Sequence, residues 1–306
     1  MIILSGGTGT PKLLNGLRTL IPPEDITVVV NTAEDIWVSG NLITPDIDTV
    51  LYLFSDRIDT EKWWGVAGDT FRTYEAMKSS GYNEAMIIGD FDRATHIMRS
   101  DILRTGGTLT SAIQKLCGSY NIKADILPMS DDPVSTMITT PQGKMHFQDF
   151  WIKNYGKLEV IDVSIDGISD AAIAPAVLEA LEVDDEVLIG PSNPITSIGP
   201  ILALPGMRKI LKHKKVIAVS PIIGREPVSG PAGKLMQAHR FEVSSVGVAK
   251  CYQEIVDVFV IDERDTADML DFDDIGCEVV RADTLMRSVD VSVGLSKQIL
   301  GFFEGM

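Results

Sequence analysis

Apolar and polar positions fall in blocks that predict strand, turn and helix in repeating order. Met1–Leu4 is a short apolar run followed by Ser5-Gly6-Gly7-Thr8-Gly9-Thr10. Behind Pro11, whose missing N–H costs nothing in a first helical turn, Leu13, Leu14, Leu17 and Leu20 recur at helical spacing. Ile26–Val30 is a second apolar strand ending at Asn31-Thr32-Ala33. The N-terminus therefore predicts a βαβ unit with parallel strands and a right-handed crossover. From Leu158 the alternation returns. Strands are predicted at Leu158–Ile165, Glu186–Ile189, Val216–Ser220, Val258–Ile261 and Glu278–Val280, with helices at Ala172–Leu181, Ile198–Leu211, Val246–Val256 and Val293–Phe303.

Between these halves the pattern loosens. Ile36–Thr44 reads as loop, and Pro45-Asp46 opens a helix through Val50, Leu51 and Leu53. Helices are predicted at Thr70–Met77, Asp92–Arg104 and Leu109–Cys117, and a strand at Ala124–Met129. Ser135–Thr140 and Lys144–Phe150 flank Pro141-Gln142-Gly143 as a hairpin. The rhythm predicts an α/β fold: one Rossmann-like, doubly wound, mainly parallel unit over residues 1–306, with a smaller inserted α+β region at about 60–155.

Composition narrows the function. The 306 residues carry 27 basic and 43 acidic side chains, a formal charge of −16, which disfavours a grip on nucleic acid or on an anionic membrane. Cys117, Cys251 and Cys277 are scattered and show no metal-ligand spacing, as expected in a reducing compartment. Met1 leads straight into a strand and no apolar run approaches a membrane span, so a cytoplasmic protein is expected.

Five segments carry candidate chemistry. Strand–glycine loop–helix at Ser5–Thr10 predicts a phosphate cradle: glycines let backbone N–H groups approach an anion, and the helix N-terminus adds positive potential. The loop has neither the Lys-Ser/Thr of a Walker loop nor the spacing of GxGxxG. Gly190-Pro191-Ser192-Asn193-Pro194 is a second strand-to-helix corner able to face the same crevice, although turn residues alone give such a string. Asn31–Asp35 and Pro45–Thr49 bring carboxylates to that edge. Asp46 and Asp48 would point to different sides of a regular helix; they either converge on Mg²⁺ at the loop junction or serve as a cap and a solvated side chain. On Gly89–Arg99, Asp92 is a candidate N-cap, and Arg93, His96 and Arg99 form either an anion-binding face or a solvated one. Ser130-Asp131-Asp132 closes a strand corner. Trp63-Trp64 offers flat surface or core packing, and Ser220–Gly224 with Ser229–Lys234 is a lid or merely a long connection.

In this order, SGGTGTPKLL, NTAED, PDIDTV, GDFDRATHIMR, LPMSDDP, GPSNP and SPIIG resemble the 2-phospho-L-lactate transferases of coenzyme F-420 biosynthesis, from Ser5 to at least Lys234. The resemblance implies Mg²⁺-dependent transfer of a phospholactyl group from lactyl-diphospho-guanosine to the ribityl hydroxyl of the deazaflavin Fo, with release of GMP, in an F-420-making organism such as a methanogen. On that reading Gly6, Gly7, Thr8 and Gly9 cradle the diphosphate, and Gly190, Ser192 and Asn193 contact the guanosine half. Asp46 and Asp48 hold Mg²⁺, with Asp48 orienting or deprotonating the acceptor hydroxyl. Arg93 and His96 bind donor phosphate or the lactyl carboxylate, Trp64 lines the deazaflavin pocket, and Thr32, Asp90 and Ser130 complete the ligand-binding set. A homodimer is the expected assembly. The rival readings are a regulatory UDP-sugar-binding protein with a related glycine loop, which does no transfer, and a dinucleotide oxidoreductase, which strand 2 ending in Asn31-Thr32 disfavours.

Overall fold

The computed structural model describes residues 1–228 and 230–306; Ser229 of the late loop lies outside the described residues. Seven strands form the main sheet: β1 (Ile2–Ser5), β2 (Thr27–Val30), β3 (Asp125–Pro128), β4 (Glu186–Ile189), β5 (Lys215–Val219), β6 (Val258–Asp262) and β7 (Glu278–Ala282). Every pairing is parallel and the order is β7-β6-β5-β4-β1-β2-β3. This is the doubly wound arrangement the alternation predicts. It reverses direction between β1 and β4, where such sheets open a ligand crevice beyond their carboxyl ends.

The helices are α1 (Gly9–Leu17), α2 (Pro45–Phe54), α3 (Arg72–Ser79), α4 (Asp90–Arg104), α5 (Leu109–Ser119), α6 (Pro175–Val183), α7 (Ile198–Ala203), α8 (Met207–Leu211), α9 (Ala232–Ala238), α10 (Ser245–Cys251) and α11 (Val289–Gly305). Because strand side chains alternate, β1 sends Ile2 and Leu4 into one core with α6 to α10, and Ile3 into another with α1, α2, α5 and α11. Burying both faces explains why these strands read as continuous apolar runs.

Several local expectations change. Ile36–Thr44 is not a loop but a hairpin, Ile36–Val38 against Asn41–Ile43, turning through Ser39 and Gly40 at positive φ. The strand expected over Lys144–Phe150 stops at His146, and a π-helical turn, Asp149–Lys153, follows. The strand expected at Leu158–Ile165 is Asp162–Asp166. It joins Ser135–Thr140 and Gly143–His146 in a separate antiparallel sheet. The single helix expected over Ile198–Leu211 is broken into α7 and α8. Leu204, which precedes Pro205, is extended at ψ 132°, as a residue before proline must be.

Candidate active site

The glycine loop sits at the point where strand order reverses. Gly7 adopts φ +55°, which glycine reaches without steric cost, and this carries the chain from β1 into α1. The corner after β4 presses directly on it. Ser192 Oγ lies 2.7 Å from Thr10 Oγ1, accepts from Thr10 N at 3.3 Å and donates to the Gly6 carbonyl. The Oδ1 of Asn193 accepts the Ile195 and Thr196 N–H groups at 3.0 and 3.4 Å. Both corners thus meet as expected, but these contacts turn the Ser192 and Asn193 side chains to bracing the backbone.

Asp46 and Asp48 begin α2, whose cap position is Thr44, so neither is the N-cap. Both are buried, and they part company as residues two apart on a helix must. Asp46 points to the glycine loop: its Oδ1 accepts the Gly7 N–H at 2.8 Å and its Oδ2 accepts Asn31 Nδ2 at 2.9 Å. Asp48 points to α4. Its two oxygens accept a forked pair from Arg99, with Nη1 at 3.3 Å, and Oδ2 also meets His96 Nε2 at 3.1 Å. The same His96 nitrogen lies 3.1 Å from Asp92 Oδ1, which in turn accepts the Tyr52 hydroxyl at 2.7 Å.

These surroundings set opposite protonation tendencies. Burial alone would raise Asp48, but the Arg99 guanidinium and His96 outweigh it and hold the carboxyl below its ordinary range. Burial would lower His96, but Asp48 and Asp92 raise it to about 9, so the ring is an imidazolium at neutral pH. Asp48, Asp92 and His96 offer ligand atoms within 4.8 Å of one another, but two cationic side chains already balance the two carboxylates there. Around Asp46 the balance is different. Burial raises Asp46 to about 6 against the Asn31 and Gly7 hydrogen bonds. Burial also raises Asp35, where Arg99 opposes the charges of Asp46 and Asp48, and it raises Glu34 beside Asp46. Ser5 Oγ, Thr32 Oγ1, Asp35 Oδ1 and Thr44 Oγ1, on the segments that carry this site, are buried without a hydrogen-bond partner. Buried polar atoms normally have partners, so this cluster has the donor set of a site for a hard cation and a polar ligand.

The other expected residues are distributed as follows. Arg93 is buried and spends Nη1 and Nη2 on Glu84 at 3.1 and 2.6 Å, away from Asp48. Asp90 is a cap: it accepts the Arg72 and Thr73 N–H groups at the start of α3, each at 3.0 Å. Asp92 is not the N-cap of α4; Asp69 accepts the first N–H groups there, from Phe91 and Asp92. Ser130 donates to the Ala172 carbonyl at 2.6 Å and accepts the Asp132 N–H. Trp64 is 55% exposed, with Lys62 Nζ 5.6 Å from its ring centre. Thr32 lies with the carboxylates, and Thr8 precedes α1 without a side-chain cap bond. The residue reading placed Asn31–Asp35 and Arg99 on candidate segments but gave Asn31, Glu34, Asp35 and Arg99 no role of their own. The NTAED string and the Arg93/His96/Arg99 spacing were the available signals.

Among the described residues no helix is long and apolar enough to cross a membrane. One similar crystal structure is that of a UPF0052-family member from Bacillus halodurans, at TM-score 0.70 and 17% identity over 98% of this chain and 97% of that one, a likeness of fold. The family profile described as 2-phospho-L-lactate transferase CofD matches residues 1–295. A 2-phospho-L-lactate transferase of Methanosarcina acetivorans is 64% identical over 99% of both chains. One from Methanococcoides burtonii is 61% identical over the full length of both. With the carboxylates and glycine loop in this arrangement, and with similarity running end to end, the chain belongs to the 2-phospho-L-lactate transferase family.

Proposed function

We propose that this protein transfers the phospholactyl group of lactyl-diphospho-guanosine to the terminal ribityl hydroxyl of Fo and releases GMP, with Mg²⁺ as cofactor. The observation that carries the reading is the under-neutralised group Glu34, Asp35 and Asp46, set against a glycine loop at the sheet's switch point. Phosphoryl transfer is mostly positioning and charge neutralisation; the glycine loop offers the first, and these carboxylates offer oxygens to a cation that would supply the second. Asp46, tied to Gly7 N–H, is the carboxylate best placed to hold Mg²⁺ beside phosphates on the loop. An Mg²⁺ ion held there would neutralise the charge that develops on the diphosphate.

The acceptor hydroxyl oxygen forms the new bond to the lactyl-bearing phosphorus. The bond from that phosphorus to the bridging oxygen breaks, and GMP leaves with its electrons. We assign the hydroxyl proton to Asp35 rather than to Asp48. Asp35 Oδ1 is buried without a hydrogen-bond partner and so is free to take a proton, while Asp48 is held low and has both oxygens engaged by Arg99 and His96. The imidazolium of His96 and the guanidinium of Arg99 keep Asp48 ionised and α2 in register with α4.

A turnover assay with donor, Fo and Mg²⁺, following GMP release, tests the reading. Wild type should turn over only with Mg²⁺, and Asp46→Asn should lower kcat by about 10²–10³, the usual cost of one preorganised charge-stabilising group. Metal-independent turnover, or binding of a UDP-sugar with no GMP release, would reject it.

A further inference from the structure

Glu34 and Asp35 sit on the turn that follows β2, where neither a helix nor a strand sets their direction. The turn makes two bonds of its own, Ala33 N to Asn31 Oδ1 at 3.0 Å and Asp35 N to the Thr32 carbonyl at 3.1 Å. Like charges in a buried turn push each other apart, so the backbone beneath them has to be gripped from outside.

One half of that grip comes from the main sheet. Asn31, at the end of β2, donates through Nδ2 to Asp46 Oδ2 and to the Thr196 carbonyl at 3.2 Å. The other half comes from the inserted region. Its antiparallel strands form a sheet of their own, yet that region reaches the turn at two consecutive carbonyls. Thr136 N, in the strand Ser135–Thr140, donates to the Ala33 carbonyl at 2.6 Å, and Gln148 Nε2 donates to the Glu34 carbonyl at 3.1 Å.

Gln148 is itself firmly held. It is 6% exposed, and its N–H donates to His146 Nδ1 at 3.1 Å. Phe147 and Phe150 on either side are buried in the core, with ring centres 6.4 Å apart. A buried primary amide costs stability unless its polar atoms find partners, a demand that an apolar side chain would not make. What the amide adds is its hold on Glu34. The carbonyl it holds belongs to the peptide plane between Glu34 and Asp35. That plane is rigid, so one bond restricts ψ of Glu34 and φ of Asp35 together, and the Thr136 bond restricts the plane before it. Two successive fixed planes set the direction in which both carboxylates leave the chain.

We infer that Gln148 is a positioning residue for the transfer reaction, holding Glu34 and Asp35 in register with Asp46 through the backbone between them. The inserted sheet is then a brace for the carboxylates. This rests on the transfer reading above.

The test uses the full-length protein and Gln148→Met, which keeps the length of the side chain and removes the donor. Mn²⁺ binding in the presence of GDP is followed by electron paramagnetic resonance, GDP affinity and the thermal midpoint are measured in parallel, and turnover is followed by GMP release. Gln148→Met should bind Mn²⁺ about tenfold more weakly and lower kcat about 10–100-fold, the usual effect of losing a group that orients a metal's ligands. GDP affinity and the KM for Fo should stay within about threefold of wild type, because a lost positioning contact falls on kcat. Gln148→Leu gives the same reading if Gln148→Met does not fold. Wild-type Mn²⁺ affinity and kcat in a folded variant would overturn the positioning role. So would losses of GDP affinity and thermal midpoint in step with kcat, as a merely structural side chain predicts. Both outcomes leave the transfer reading intact. If wild type releases no GMP from donor and Fo, that reading falls and the positioning role falls with it.

Discussion

Asp46 and Asp48 stand two residues apart on one helix and live in opposite electrostatic settings. Around Asp48, charges are matched: two carboxylates face a guanidinium and an imidazolium, and the pocket is closed in itself. Around Asp46, three buried carboxylates gather with neutral donors and with hydroxyls that find no partner. A folded chain tolerates the first as structure. It keeps the second only where something outside the chain completes it, because unpaired buried charge is costly. The contrast separates a clamp from a site, although both are built from the same residue types.

The strongest way to break the contrast is to leave the matched pocket unmatched. Arg99→Leu strips Asp48 of its forked partner and should cost about 3–5 kcal/mol, the usual effect of removing one member of a buried pair, as read by denaturant unfolding. A loss below 1 kcal/mol would mean that the clamp is not structural. A smaller effect follows from pH. His96 has a folded pKa of about 9, above its ordinary 6.5, so its contribution to stability is complete below about 6.5 and is lost as pH rises through 9. Stability should fall by roughly 3 kcal/mol across that window, and His96→Gln should flatten the profile. The smallest effect is expected on the other side. Asp46→Asn removes a like charge from a crowded group while disturbing one hydrogen bond, so stability should change by less than about 1 kcal/mol, even as turnover collapses. A large destabilisation there would show that Asp46 is part of the clamp after all.

The main sheet was legible because its strands bury both faces and therefore stand out as apolar runs, as at Thr27–Val30 and Glu186–Ile189. The glycine loop was legible from its strand–loop–helix context. Helical geometry pointed to the divergence of Asp46 and Asp48, but the expectation that both hold one Mg²⁺ overrode it, and the structure turns them to different partners. What could not be read was partnership across distance. Nothing local to PDIDTV says that Arg99, 51 residues on, will take Asp48, or that Glu84 will take Arg93 instead of leaving it for a phosphate. The hairpin at 36–43 was missed because three-residue strands around a polar turn show too little alternation to register. Asp90 was expected in the ligand-binding set only through the family resemblance, and its bonds to the first N–H groups of α3, 17 and 18 positions before it, could not be read from local sequence.

The contact between the two corners of the crevice bears on how this scaffold can be redesigned. A side chain at Gly9 would run into the Pro191 carbonyl, and one at Gly190 into Thr10, while Ser192 is stitched to both Thr10 and the Gly6 carbonyl. The loops after β1 and β4, joined by a Thr10–Ser192 contact across 182 positions of chain, therefore behave as one interlocked part. Exchanging the donor's nucleotide by grafting either loop alone would force the other out of shape. A working transplant has to carry both corners together, as a matched pair of pieces.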